Sequence, residues 1–524
     1  MALMIEQLPA DCFSGSKVGL EKEGLRITSD GRLAADNHPT PLGSSLTHPS
    51  ITTDFAESLV ELISPPFKNS FDALRFIGET ETFLHRQLTE QLIWSASMPC
   101  EIKSEDEIRI ADYGHSQPGM RKMIYRRGLA HRYGKQMQMI AGIHFNFSFS
   151  DRLWSHLHRT TDESGNLKDF IADRSMAAIR NALRHDWLLL YLFGASPATS
   201  NSFRDHSGRL IPFDGQTSYL PHATSLRMGD GGYANTTQIE HIGHNSLNEY
   251  IDDLHRAINT PYPAFEQFEA EGGNGTEQLS NSLLQTENEY YSTVRPKQIT
   301  QPGETLLEAL RQRGIGYLEL RAIDINPFVA SGIEADQLCF LELFMHHALL
   351  TESAETDHHE MEAIRRNRNA TAYYGRDPQL RLTRYDKEIL LTDWAGQIFE
   401  EMLPIAERLD RSRQSSRYSQ ALVRFKKRLT NPDLTPSGQL LKAMQNSGKG
   451  FTDYILTQSV RHHRYYLSRT LPAERVEFFQ AMARHSYRQT RRLERCVKCK
   501  LANTEPNRIN HQDEQIEAAR CACH

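Results

Sequence analysis

Cysteine is scarce in this chain and unevenly placed. Only seven of the 524 residues are cysteine, and four of them, Cys496, Cys499, Cys521 and Cys523, crowd into the last thirty positions. An odd and thinly spread set excludes a disulfide framework and implies reduced thiols. Long apolar runs are missing as well. The most apolar stretch, WLLLYLFGA at 187–195, falls well short of the roughly 20 residues needed to cross a bilayer. The amino-terminal MALMIEQLPADCF lacks the basic region and long apolar segment of a secretory signal. A cytoplasmic protein with no membrane partner is expected. Neither charge is in large excess: 60 Lys and Arg face 66 Asp and Glu, a net −6, which argues against nucleic acid as the main partner and for small ligands. The usual phosphate cradles are absent too. NSGKG at 446–450 lacks the spacing and the Ser/Thr of GxxxxGK[ST], and MGDGGY at 228–233 is a glycine-rich loop and no GxGxxG.

What is present divides near residue 330. Before it the sequence mixes strand-like and helical pieces, and beyond it the pattern is helical almost throughout. Apolar residues at helical spacing predict core helices over 72–94, 174–193 and 335–351. One-sided apolar stripes predict outer helices over 389–409, 418–429 and 473–495. No repeat of solenoid length occurs, and polar loops are expected at 158–168 and 269–280. The expected organisation is one catalytic domain over 1–490 and a cysteine-containing tail over 491–524. The clearest strand is MIAGIHFNFSF, 139–149, which sets its phenylalanines on one face and His144, Asn146 and Ser148 on the other.

Carboxylates recur on such strands. In VGLEKEGLRI, 18–27, Glu21 and Glu23 share a face at a spacing of about 7 Å. At an effective dielectric near 20 they repel by roughly 2 kcal/mol. A charged edge strand that discourages aggregation and a divalent cation site both account for this segment. The pattern returns in ITTDFAESLVELISPP, 51–66, with Asp54 and Glu61; in LLQTENEYY, 283–291, read as a strand with Gln285, Glu287, Glu289 and Tyr291 on one face; and in GIGYLELRAIDINPF, 314–328, where Glu319 and Arg321 share a face and the segment closes on Asp324. A sheet that sends carboxylates to one side suits Mg²⁺ and nucleotide phosphates. Arg227, Arg295, Lys297 and Arg321 are the cations available for phosphate or a substrate carboxylate. Surface ion pairs are the competing account of these four.

The motifs GLEKEGLR (19–26), LGSSLTHPSITTDFAESLVELISP (42–65), SMPC (97–100), YRRGLAHRYG (125–134), IAGIHFNFS (140–148), YLFGASPA (191–198), LPHATSLRMGDGGY (220–233), LQTENEYYSTVRPK (284–297) and YLELRAIDINPF (317–328) occur in order, and in them the sequence resembles the proteobacterial type of glutamate–cysteine ligase. The resemblance implies an α+β fold with a glutamine-synthetase-like core: a mainly antiparallel sheet forming a funnel-shaped active site, surrounding helices and a helical C-terminal third. It implies ATP-dependent joining of the γ-carboxyl of L-glutamate to the amine of L-cysteine through a γ-glutamyl phosphate, with two or three Mg²⁺ or Mn²⁺ ions, in a monomer. Carried over by motif, Glu21, Glu23, Asp54, Glu61, His144 and Glu319 are similar to the family's metal ligands. Glu21, His144 and Glu319 correspond to the nucleotide-side ion, and Glu23 with Glu61 to the ion near the γ-carboxyl. Glu319 and Arg321 carry the catalytic role. Tyr125, Leu129, Gln138, Arg227, Tyr233, Tyr291 and Arg321 resemble the substrate pockets, and Arg295 and Lys297 are expected on the nucleotide side. The sequence departs from the family at Lys22 and Gly24, where Arg and Thr are common, and in the tail, whose CVKC and CACH offer zinc-binding groups at unusual spacing. A ligase for a different amine and a metal- or thiol-sensing protein on an inactive ligase fold are the alternatives.

Overall fold

The structure, a computed structural model, describes residues 8–161, 165–203, 205, 207–231, 242–268 and 276–502, with side chains to Arg495. Its strands in chain order are β1 (Lys17–Thr28), β2 (Ile51–Thr53), β3 (Leu59–Ile63), β4 (Gln91–Ile93), β5 (Ile143–Ser148), β6 (Ala198–Ser200), β7 (Ile211–Pro212), β8 (Thr217–Tyr219), β9 (Val294–Lys297), β10 (Tyr317–Ile323), β11 (Arg381–Arg384) and β12 (Lys387–Leu390). Seven of them form one sheet in the order β2-β3-β1-β5-β10-β9, with β4 pairing the end of β1. All pairings are antiparallel. This is the α+β, mainly antiparallel architecture that the sequence predicts.

Alternation sets the two faces. Leu20, Phe145, Phe147, Leu318, Leu320 and Val294 are buried on one face, against which the helices Leu167–Arg184 and Ala335–Leu350 pack. The second of these helices is buried all round, as a helix apolar on every side must be. The other face carries Glu21, Glu23, Glu61, His144, Asn146, Glu319 and Arg295 in register. Glu23 stands opposite Glu61, Glu21 opposite His144, Glu319 opposite Asn146, and Arg295 opposite Glu319. This face looks into a cavity and not into bulk water, so β1 is buried along most of its length.

Several expectations are corrected. The helix expected over 72–94 ends at Gln87, and Glu90 takes a left-handed φ of 57° before β4 begins. The helix expected over 174–193 breaks at His185 into Leu167–Arg184 and Asp186–Phe193. The strand expected over 139–149 is confined to Ile143–Ser148, preceded by a 3-10 turn. Residues 283–291 form no strand. Glu287–Glu289 is a 3-10 turn whose acids serve structure: Glu289 takes bonds from Arg132, Tyr133 and the Gln285 amide, and Glu287 from the Leu306 amide. Inside the helical third, the hairpin β11–β12 turns at Tyr385 and Asp386, both left-handed. The last described helix, Ala473–Ala502, continues across residue 491. Cys521 and Cys523 lie outside the described residues, as do the side chains of Cys496 and Cys499.

Candidate active site

The polar face of the sheet floors a cavity of about 200 Å³. The helix Gln117–Tyr133 closes one side, started by Ser116, whose hydroxyl accepts from the Gly119 amide, and ended at Gly134 with φ 80°. It brings Tyr125 and Leu129, four residues apart and so on one helical face, to the cavity wall. Gln138, Tyr291 and Arg227, the last from the 3-10 turn Leu226–Met228, complete the substrate-pocket residues found there. Tyr233 lies outside the described residues.

On the floor the predicted ligands meet. Glu21 Oε2 lies 2.8 Å from His144 Nδ1, and Glu21 Oε1 accepts from Asn146 Nδ2 at 2.7 Å. Glu23 Oε1 lies 3.8 Å from His144 Nε2, while Oε2 accepts from the Gly142 amide at 2.6 Å. Glu21, His144 and Glu319 each offer one ligand atom, all within 4.8 Å of one another. Glu61 and Asp54 line the same cavity, and Asp54 is 3.6 Å from Arg126 Nη2. Oxygen donors with one imidazole are a set that a hard divalent cation accepts.

The charge balance supports that fit. Burial raises the Glu61 carboxyl, and the charges of Glu21, Asp54 and Glu23 push it further, well above the usual carboxylate range. Glu23 is raised by burial, against the partial relief of His144, Arg227 and Arg321. Burial works on Glu21 too, but its hydrogen bond and attraction to His144 outweigh it and hold the carboxyl low. Glu319 is buried yet held far below the carboxylate range, because Arg295, Lys297 and Arg321 surround it. The site therefore has a carboxylate-rich half short of positive charge and a second half where one carboxylate faces three cations.

The cations are not equivalent. Arg295 gives Nε and Nη2 to Glu319 Oε2, both at 2.8 Å, and Nη1 to the carbonyls of Asn288 and Tyr290. Lys297 stands 3.8 Å from Glu319 Oε1. Arg321 sits where the β10–β5 register shifts. Its Nη1 is 3.5 Å from Glu319 Oε1 and 3.4 Å from His144 Nδ1, and its buried Nε has no partner among the described residues. The Arg321 side chain lines the cavity, so an anion arriving here meets its guanidinium. Sequence reasoning missed Arg126 and Asn288, which also line the cavity. Arg126 lies within the YRRGLAHRYG motif, but its helix shows no periodicity that separates it from Arg127, and Asn288 lies in the turn misread as a strand.

Comparison with known proteins bears on this geometry. The family model described as glutamate-cysteine ligase matches residues 1–371. A glutamate–cysteine ligase of Alcanivorax borkumensis is 41% identical over 468 residues, 88% of this chain and 89% of that protein. One of Pseudomonas aeruginosa is 42% identical over 479 residues, 91% of each. Among solved structures, a glutamate–cysteine ligase of Francisella tularensis in complex with AMP superposes with a TM-score of 0.85 at 32% identity, covering 95% of this chain and 96% of that one. A bifunctional glutathione synthetase of Pasteurella multocida gives 0.75 at 25% identity, covering 92% of this chain and 58% of the other.

Proposed function

This chain belongs to the glutamate–cysteine ligase family, and from that premise we propose how its residues divide the work. The reaction joins the γ-carboxyl of L-glutamate to the amine of L-cysteine with consumption of ATP, giving γ-glutamylcysteine, ADP and phosphate. An amine cannot displace an oxygen from a carboxylate at a useful rate. Transfer of the terminal phosphoryl of ATP to the γ-carboxyl turns that oxygen into a leaving group, so the path runs through γ-glutamyl phosphate.

Glu21, His144 and Glu319 would hold one Mg²⁺ or Mn²⁺, and Glu23, Glu61 and Asp54 a second or third, where the ions would neutralise phosphate charge and orient in-line transfer. Arg295 and Lys297 keep Glu319 ionised, and Lys297 reaches toward the nucleotide side. Arg321, whose guanidinium lines the cavity, takes the oxygens of the phosphoryl group in transit. Arg227 takes a substrate carboxylate, and Tyr125, Leu129, Gln138 and Tyr291 wall the amino-acid pockets and keep water from the acyl phosphate. Tyr233 joins them by motif. We assign the reaction to a cytoplasmic monomer whose catalytic unit spans 1–490. In support of a reaction away from the bilayer, no helix among the described residues is long and apolar enough to cross a membrane.

The observation that carries this reading is the in-register convergence of Glu21, Glu23, Glu61, His144 and Glu319 on one sheet face beside Arg321. Phosphate release with mass detection of the product tests it. Rapid release is expected only with Mg²⁺ or Mn²⁺, L-glutamate and L-cysteine together. L-2-aminobutyrate should replace cysteine, since nitrogen is the attacking atom, and ammonia should not. Turnover with ammonia but not cysteine assigns a different amine, and no turnover with any amine rejects the ligase reading.

A further inference from the structure

Asp324, just past the end of β10, is 2% exposed and does not line the cavity, yet both of its oxygens are in use. Oδ2 accepts from the Ala195 amide and the Ser196 hydroxyl, each at 2.8 Å. Oδ1 accepts from the Ser225 hydroxyl at 3.0 Å and lies 3.6 Å from Arg227 Nη1. One carboxylate thereby ties the strand that carries Glu319 and Arg321 to the turn that carries Arg227. Backbone bonds knit the same junction, from the Leu226 amide to the Ser196 carbonyl at 2.7 Å and from the Ser196 amide to the Thr224 carbonyl at 3.1 Å.

The other side of Arg227 is equally constrained. Its Nη2 donates to the Arg321 carbonyl at 2.9 Å. It covers Gly142 so closely that a Cβ there would lie 2.1 Å from Nη2, and the Gly142 amide in turn bonds Glu23. Yet its Nε donates to no described group, although the guanidinium lines the cavity.

We propose that Asp324 is a positioning residue of the reaction: without touching substrate, it fixes the Arg227 guanidinium in the pose from which that group grips the carboxylate of an amino-acid substrate. The proposal rests on the reading of Arg227 given above. An arginine side chain has much rotamer freedom to lose, so one already held in place binds its anion at lower entropic cost. Without Asp324, the carboxylate left to attract Arg227 is Glu23, whose charge it already senses. A swing toward Glu23 would spoil the carboxylate grip.

The test is steady-state kinetics on the full chain carrying Asp324→Asn, which keeps the shape and an acceptor for Ala195 and Ser196 but removes the charge. KM for one amino acid should rise about tenfold, with KM for ATP nearly unchanged and kcat reduced by less than KM is raised. The substrate that responds, glutamate or cysteine, is the one whose carboxylate Arg227 holds. Arg227→Lys should raise the same KM, and adding Asp324→Asn to it should contribute less than about twofold more, because the two act through one contact. If the two effects multiply, or if Asp324→Asn lowers kcat and leaves both amino-acid KM values alone, the proposal is overturned. Ser225→Ala, which takes a donor from the same oxygen and keeps the charge, covers the case in which Asp324→Asn folds poorly. It should raise the same KM about threefold, and unchanged KM values overturn the proposal there too. Arg227→Lys with no effect on either amino acid refutes the substrate role of Arg227 itself, whereas an effect there with Asp324→Asn silent refutes only the positioning role.

Discussion

At Glu61, folding and catalysis pull in opposite directions. Burial and three neighbouring carboxylates hold its carboxyl high, so the bare site is destabilised by a group that the proposed metal site needs. Glu61→Gln is expected to raise the melting temperature of the metal-free protein by about 2–4 °C while abolishing turnover. Added Mg²⁺ should raise the melting temperature of the wild type more than that of the variant, because a ligand that binds only the folded state stabilises it. A variant that melts lower than the wild type in the absence of metal would refute the repulsion. Glu21→Ala and Glu23→Ala should each lose about 10²–10³-fold in turnover with little change in melting. Glu319→Ala should lose activity and stability together, since it strips the counter-charge from Arg295, Lys297 and Arg321. Unchanged melting there would show that the three cations need no partner. The alternation of β1, β5 and β10 made most of these positions legible in sequence, because a two-residue period decides which side chains share a face. The charge state of each was not legible, since it depends on strands far apart in the chain.

Strand β1 is held to its helix by the residue between the two glutamates. Lys22 points away from the site and forms a buried ion pair with Glu81 of the helix Ser70–Gln87, and it donates to the Ala330 carbonyl at 3.3 Å. Burial raises Glu81, but Lys22 and His85 outweigh it and bring its carboxyl down to about 2. Two residues on, Gly24 lets Ile93 of β4 approach, for a Cβ there would meet Ile93 Cγ2 at 2.7 Å. Both positions face packing and not the cavity. Lys22→Met strands a buried carboxylate and should cost about 3–5 kcal/mol in urea denaturation. The double variant Lys22→Met, Glu81→Gln should recover most of that. A single-variant loss below about 1 kcal/mol would mean that the pair contributes little. Elements were legible where one pattern ran long enough. They were not where a tertiary contact chose the conformation: 283–291 alternates like a strand, but its acids are claimed by Arg132 and the Leu306 amide, and the β11–β12 hairpin is too short to interrupt a helical pattern.

The molecule as a whole should be sensitive to mild acid. His346 is ringed by Phe13, Phe147 and Phe149, its Nδ1–H donates to the Glu342 carbonyl at 2.8 Å, and its Nε2 has no partner among the described residues. Burial pushes it down to about 4, as it does His48 and His462. The unfolded chain takes up these protons near pH 6.5, while the folded protein resists until about pH 4. Their contribution is therefore whole above 6.5 and drains away as pH falls toward 4, by about 2 kcal/mol per histidine between 6.5 and 5. In urea denaturation at pH 7 and pH 5, His346→Leu should lose about 2 kcal/mol less than the wild type between the two. Equal losses would show that His346 takes up its proton as readily in the folded state as in the unfolded one. The sheet order also carries a consequence in time. Glu21, Glu23, Asp54 and Glu61 leave the ribosome early, on strands that pair locally or, for Asp54, in the connection between β2 and β3, whereas Arg295, Glu319 and Arg321 come from β9 and β10. At about 5–20 residues per second, some 15–60 s of synthesis separate the first carboxylate from the last cation. During that interval the nascent chain carries the acidic half of its site without the basic half, so the carboxylates proposed to hold the cations can assemble before the strands proposed to face the nucleotide.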